Sequence, residues 1–511
     1  MSKVVHPSCD AKMTFNECEL TILRTAVDNA DDRRNKKIVN SSEVQRMIKI
    51  VEEFLRKKQL ICYGGTAINA LLPKHAQFYN KETDLADYDF FSPTPVEHSK
   101  QLADIFNKNG FDEVEAKSGQ HHGTYKVFVN FIGMADITFL HKDIYNAIKK
   151  DAKKIDGIYY CPPNYLRMSM YLELSRPDGD VSRWEKVLKR LGLLNKYHPL
   201  RINNCNSVDF QRGLSSLDSH DEKFVAKVYT TVKKALIQDD VVFFGGFAIA
   251  SYLEYMPATT QSKLKKLPDF DVFSESAETT AKKVMERLVD IGVEKVRVVK
   301  KSSVGEVISA HYQVIIGAND TVAFIYEPMA CHSYNKVRVS NTSVKIATID
   351  TMLSMYLAFL YSERSYYDLD RILCMSNFLY KVQERNRLQQ KGVLKRFSLT
   401  CYGYQQTLED IRTEKMKMFE NLKKQRNNKE YEEWFLKYRP GDSGKTPEPT
   451  QTKANMTRKI KSTTEPNSNM SSAPTPKKAK KTKTVKRRVK APRTLVENMM
   501  SPLNNFIKLN S

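Results

Sequence analysis

Apolar positions along this chain follow two periods, and the switches between them outline its elements. From Thr14, TFNECELTILRTAVDNA places apolar residues at helical spacing behind a cap residue, and SEVQRMIKIVEEFLRKKQL does so behind Ser41 or Ser42. The second of these helices delivers the chain into a short apolar strand, ICYGG. Further on, HSKQLADIFNKNGF reads as a helix ending at Gly110. TYKVFVNFIG and ADITFL read as a strand hairpin, and NYLRMSMYLELSR as another helix. Residues 395–438 read as largely helical and charged, ending in EEWFLKYRP.

The pattern then repeats. ICYGGTAIN followed by ADYDFFS is answered by VFFGGFAIA followed by PDFDVFS, and NYLRMSMYLELSR by IDTMLSMYLAFLYSER. Each copy is a strand running into Gly-Gly and a helix, then a strand carrying Asp-x-Asp. A strand has a side-chain period of two, so Asp87 and Asp89 emerge on one face, as do Asp269 and Asp271 in the second copy. The repeat is therefore a whole strand-and-helix unit of about 150 residues, far above solenoid periods.

Paired acids on one strand face suit divalent cations. Two such ions about 4 Å apart activate an attacking hydroxyl and stabilise the leaving oxygen of an in-line displacement at phosphorus. A third carboxylate is expected from a neighbouring strand, and in GMADITFL Asp136 faces away from Ala135 and Ile137. In the second copy, TVAFIYE reads with Ala323 at the matching place and Asp320 in the preceding turn, which makes the first copy the working site and the second a degenerate one. Gly64 and Gly65 would let a triphosphate approach the backbone, the helix that follows offers N–H groups, and Thr66 adds a hydroxyl.

These residues resemble the DNA polymerase β nucleotidyltransferase superfamily. The form YGGTAIN with YDFF, joined to a degenerate second unit, is similar to the catalytic subunit of poly(A) polymerases of poxviruses and giant DNA viruses, across residues 50 to 385. The resemblance implies an α+β fold of tandem duplicated palm domains, each with associated helices. It also implies that Gly64, Gly65 and Thr66 hold ATP, and that Asp87, Asp89 and Asp136 are catalytic and hold two Mg²⁺ or Mn²⁺ ions. Domain boundaries follow: a helical segment over 1–45, an active unit over 46–205, a degenerate unit over 206–385, a helical segment over 386–439 and a basic tail over 440–511. The activity implied is template-independent addition of AMP to the 3′ end of viral mRNA, with choice of adenine resting on the resemblance alone. Other terminal transferases (poly(U), CCA-adding, oligoadenylate) stay open, as does a non-catalytic RNA-binding subunit on the same scaffold.

Composition sharpens the partner. The net charge is +23, and from Pro440 onward sixteen Lys or Arg stand against four Asp or Glu, leaving +11 on the body. A basic body favours a polyanion, here RNA. The tail is too poor in large apolar residues to fold alone and reads as disordered, with MSPLNNFIKLN as a docking segment; its run KKAKKTKTVKRRVKAPR reads as an RNA tether, a nuclear signal or a solubilising tail. The eight cysteines contain no Cys-x-x-Cys pair and read as buried or free thiols of a reducing compartment. No apolar run approaches the roughly 20 residues that cross a bilayer. The expected place is the host cytoplasm and the virion, with the nucleus left open by the tail, and the expected partners are the RNA 3′ end, ATP and a second copy in a homodimer.

Other residues weigh less. His121 and His122 read as a loop. Lys126, Arg167, Arg183 and Lys186 are candidates for phosphate or RNA contacts. Tyr165, Tyr171 and Trp184 could stack on a base, with core packing the default.

Overall fold

The computed structural model describes residues 9, 13–39, 41–79, 88–200, 202, 205, 208–217, 220–255, 269–339, 342–386 and 389–441, all within one compact unit spanning Met1–Lys445. The basic tail and its MSPLNNFIKLN segment lie outside the described residues.

In chain order the strands are β1 Ile61–Cys62, β2 Tyr88–Ser92, β3 Val114–Ser118, β4 Thr124–Val129, β5 Ile132–Phe139, β6 Lys153–Ile155, β7 Ile158–Tyr160, β8 Val242–Phe243, β9 Phe270–Phe273, β10 Arg297–Lys301, β11 His311–Ile316, β12 Asp320–Tyr326, β13 His332–Val339, β14 Thr342–Ala347, β15 Cys401–Tyr402 and β16 Lys437–Tyr438. The helices are α1 Phe15–Val39, α2 Ser42–Lys58, α3 Gly64–Leu71, α4 Pro95–Lys108, α5 Lys142–Asp151, α6 Pro163–Leu174, α7 Trp184–Tyr197, α8 Glu222–Gln238, α9 Gly246–Ala250, α10 Ala277–Asp290, α11 Ile349–Phe359, α12 Leu369–Arg385, α13 Leu408–Leu422 and α14 Lys429–Phe435.

Two eight-stranded mixed sheets carry the fold. Their orders are β16-β3-β4-β5-β2-β1-β7-β6 and β10-β11-β12-β9-β8-β14-β13-β15. Seven strands of one map onto seven of the other with the same neighbours: β3 on β10, β4 on β11, β5 on β12, β2 on β9, β1 on β8, β7 on β14 and β6 on β13. Even the bulge recurs, after Val127 between β4 and β5 and after Val314 between β11 and β12. The repeat read from the sequence is thus a repeat of topology, and each copy adds one strand from the C-terminal region.

Local chemistry explains the elements around the first Gly-Gly. Ser41 caps α2 by accepting from Val44 N at 3.2 Å, and Val44, Met47, Ile50, Val51, Phe54 and Leu55 form its buried stripe. The helix stops at Gln59, which takes a left-handed conformation (φ 54°) and turns the chain into β1. The β4–β5 hairpin closes through Asn130 and Phe131, both left-handed, as a two-residue hairpin turn requires. The helices that close each copy, α6 and α11, pack on each other, and just beyond the end of α11 the Tyr361 ring stands edge-on to Tyr165 at 5.3 Å.

The cysteines differ from the expectation of free thiols. Cys9–Cys18, Cys205–Cys374 and Cys331–Cys401 are disulfides, while Cys62 and Cys161 are free and buried. Two of the bonds join residues 169 and 70 positions apart, a proximity that local spacing does not carry.

Two buried histidines make the second copy sensitive to acid. Burial pushes His311 down to about 4 and, with the nearby Arg176 charge, His332 down to about 3. Both rings are neutral at pH 7 whether the chain is folded or unfolded. As pH falls below about 6.5 the unfolded chain takes up protons that the folded chain refuses, so stability is lost progressively toward pH 4. The expected loss at pH 5 is about 1–2 kcal/mol for each ring, read as a drop in the urea midpoint between pH 7.5 and pH 5. The double variant His311→Phe/His332→Phe should flatten that drop; an undiminished drop would assign it to carboxylates instead.

Candidate active site

The first Gly-Gly turn lies against Asp89, and Gly64 takes a left-handed backbone conformation. Gly64 has φ +68°, and a Cβ there would stand 2.6 Å from Asp89 Oδ2; a Cβ on Gly65 would strike the Tyr79 hydroxyl and lie 3.0 Å from Arg190 Nη1. The turn opens directly into α3, with Thr66 as its third residue, and no side chain caps the start of that helix. The N–H groups at the start of a helix suit an anion.

Asp89 on β2 and Asp136 on β5 are direct partners on parallel neighbouring strands, so their side chains share a face. Both are half-buried, while Ala135 and Ile137, on the opposite face, are buried. Asp87 lies outside the described residues. Lys126 on β4 is the direct partner of Asp136 on its other side and forms an ion pair with it. One row further along the same face, Tyr63 stacks on Phe91 at 3.9 Å and its hydroxyl meets Thr138 Oγ1 at 2.9 Å. Burial and the Asp89 charge hold the Tyr63 phenol well above its usual range. Side by side, the two carboxylates form a hard oxygen donor set that fits a divalent cation.

In the second copy the same framework is closed. Asp271 on β9 pairs with Phe324 on β12, as Asp89 pairs with Asp136, so Phe324 and not Ala323 stands in place of the third acid. The one-residue error has a physical source: β12 is buried on both faces from Val322 to Tyr326, so its apolar alternation carries no register. Asp320 does not join the pair; it accepts from Ser215 Oγ and from the Ser216 amide.

A cation fills the gap instead. Arg212 reaches Asp269 Oδ2 at 2.9 Å and Asp271 Oδ1 at 3.0 Å, with its guanidinium 4.5 Å above the centre of the Phe324 ring. Burial alone would lower the Arg212 pKa; the two carboxylates outweigh it and hold the pKa above its ordinary value. Sequence reasoning missed Arg212, because nothing in its local pattern marks it as the partner of acids more than fifty positions away.

Other expectations are redistributed. Arg167 is not a phosphate contact: it is fully buried and its guanidinium is spent on Asn195 Oδ1 (2.7 Å), Asn164 Oδ1 (2.5 Å) and the His198 carbonyl. Arg183 pairs with Glu173 at 3.0 Å, and Lys186 is exposed on α7. Tyr165 and Tyr171 are core residues, and the Trp184 indole donates to the Glu173 carbonyl at 3.0 Å. His121 and His122 lie in the β3–β4 loop, His122 stacked on Trp434 at 4.0 Å. Arg190 is a residue the sequence did not flag. It stands over the Phe78 ring at 4.7 Å, donates to the Tyr79 hydroxyl at 2.9 Å and borders the Gly-Gly turn. A cleft of about 1000 Å³ adjoins the site; Thr124, Thr138, His122, Arg176, Glu306 and Trp434 are among its lining residues. Asp178, Cys331 and Cys401 bring ligand-type atoms within 4.8 Å of one another, but the two sulfurs are bonded to each other. Among the described residues no helix is long and apolar enough to cross a membrane.

With this geometry in view, residues 49–180 match the family described as poly(A) polymerase catalytic subunit. Curated relatives named "Putative poly(A) polymerase catalytic subunit" include one from African swine fever virus (strain Badajoz 1971 Vero-adapted), 33% identical over 179 residues. Another, from Acanthamoeba polyphaga mimivirus, is 31% identical over 195 residues. These matches cover 34% and 37% of this chain, and about a third of the relatives' own length (37% and 32%). The crystal structure of the Megavirus polyadenylate synthase superposes with a TM-score of 0.69 at 19% identity, covering 86% of this chain and 90% of that one. That likeness, with the two matching sheets, establishes the fold class as a duplicated α+β fold like that of the Megavirus protein.

Proposed function

We propose that this protein is a template-independent polynucleotide adenylyltransferase that adds AMP from ATP to the 3′ end of viral mRNA, with its single active site in the first copy. One observation carries the reading: Asp89 and Asp136 stand side by side next to the Gly64–Gly65 turn, whereas the same place in the second copy is filled by Arg212 and Phe324. The match of residues 49–180 to the poly(A) polymerase catalytic subunit family supports the choice of chemistry.

In this reading Asp87, Asp89 and Asp136 would hold two divalent cations, Mg²⁺ or Mn²⁺, which when bound make the primer hydroxyl a better nucleophile and offset charge on the phosphates. The chain's own residues do the rest. The Gly64–Gly65 turn lets the triphosphate lie against the backbone, and Thr66 and the start of α3 supply donors to its oxygens. Arg190, borne on the Phe78 ring beside the turn, adds a positive charge. Lys126 holds the Asp136 carboxylate in place. The primer 3′ oxygen attacks the α-phosphorus in line, a new P–O bond forms, and diphosphate departs. With an mRNA substrate of a virus that transcribes outside the nucleus, the protein would act in the host cytoplasm.

The test is incubation with each of the four nucleoside triphosphates and a labelled RNA primer. Extension with ATP well above the other three is the expected result. Preferential use of UTP or CTP would move the protein to another terminal transferase, and RNA binding without extension would favour a non-catalytic subunit.

A further inference from the structure

Lys437 on β16, Lys117 on β3 and Lys126 on β4 are direct cross-strand partners, and the row continues through Asp136 to Asp89. Direct partners share a face, so three lysines stand in line and end on the catalytic acids. Like charges directly opposite each other destabilise a sheet, which makes this an arrangement that folding alone disfavours. The side chains of Lys117 and Lys126 are 44% and 41% exposed, and Lys437 is exposed. Around them, Glu115 lies 3.4 Å from Lys117 and 3.7 Å from Arg439, and Lys117 stands 4.3 Å over the Phe128 ring.

The second copy provides an internal control. Its equivalent row runs Asp271, Phe324, Gln313, Val299 and has no lysine or arginine among its own strand residues; the cation there, Arg212, comes from the linking segment and is spent on Asp269 and Asp271. The lysines accompany the acids in the open site and are missing with the third acid from the closed one. Their direction selects the occupant. The Gly-Gly turn lies beyond Asp89, on the β1 side, whereas the lysines extend from the other side of Asp136. Strands about 4.8 Å apart put Lys126, Lys117 and Lys437 roughly 5, 10 and 14 Å from the Asp136 strand, the reach of two or three successive phosphates of an extended chain.

We infer that the sheet face from Lys437 through Lys117 to Lys126 is a track for the phosphodiester backbone of single-stranded RNA, leading its 3′ end to Asp136. The inference rests on the polymerase reading for which end of the RNA arrives, and on the row itself for the polyanion.

The test uses the full chain, a fluorescent single-stranded RNA and a salt titration. The variant Lys117→Ala/Lys437→Ala should weaken binding about 10-fold at low salt and reduce the slope of log affinity against log salt by about 1.4, two phosphates at ~0.7 each. Lys117→Arg should keep the slope, and Lys300→Ala, on the matching strand of the second sheet, should leave it unchanged. ATP affinity, measured separately by calorimetry, should not move. An unchanged RNA slope in the double variant overturns the track, and so does a loss of ATP affinity with RNA binding intact, which would give the lysines to the nucleotide. A reduced slope in a protein that extends no primer supports the track while the polymerase reading alone fails.

Discussion

Asp89→Asn should lower single-turnover AMP incorporation by about 10³-fold or more, equivalent to roughly 4 kcal/mol of transition-state stabilisation, with folding and RNA binding retained. The side chain is half-buried on an open face, so an isosteric amide costs little in packing while removing the charge that a cation needs. Asp271→Asn is the informative companion. Its carboxylate already faces Arg212, so the chemical step should be within a few-fold of wild type even if the variant melts earlier. Comparable losses of incorporation in both variants would sink the assignment of one open and one closed site.

Arg212→Ala should destabilise the protein by about 3–5 kcal/mol, because it leaves Asp269 and Asp271 buried and unpaired. Urea denaturation of the full chain reads this, and adding Asp269→Asn and Asp271→Asn should recover a large part of the loss, a coupling that a double-mutant cycle isolates. A loss below about 1 kcal/mol, or no recovery, would mean that the guanidinium is not what compensates the acids.

The parts of the site that the sequence made legible are those encoded within a few residues. Gly-Gly at the start of a helix brings its own geometry, and Asp89 and Asp136 meet because β2 and β5 are neighbouring strands. What stayed hidden depends on partners across the sheet or far along the chain. Phe324 was misassigned to its neighbour Ala323 because a strand buried on both faces shows no alternation. Arg212 acts on acids 57 and 59 positions away through a segment with no periodicity. The lysine row exists only once the β16, β3 and β4 registers are known, since each lysine taken singly looks like a solvated side chain. Arg167 failed in the opposite sense, a cation on a helix whose environment was the core.

The segment that supplies Arg212 also connects the two copies, and it is fastened at three places. Cys205 is bonded to Cys374, Arg212 is clasped by Asp269 and Asp271, and Ser215 and Ser216 bind Asp320. Each of these three fastenings is to a residue of the second copy. The paired acids of the second copy thus act as a rivet: through Arg212 they hold the segment that joins the two copies onto the copy that carries them.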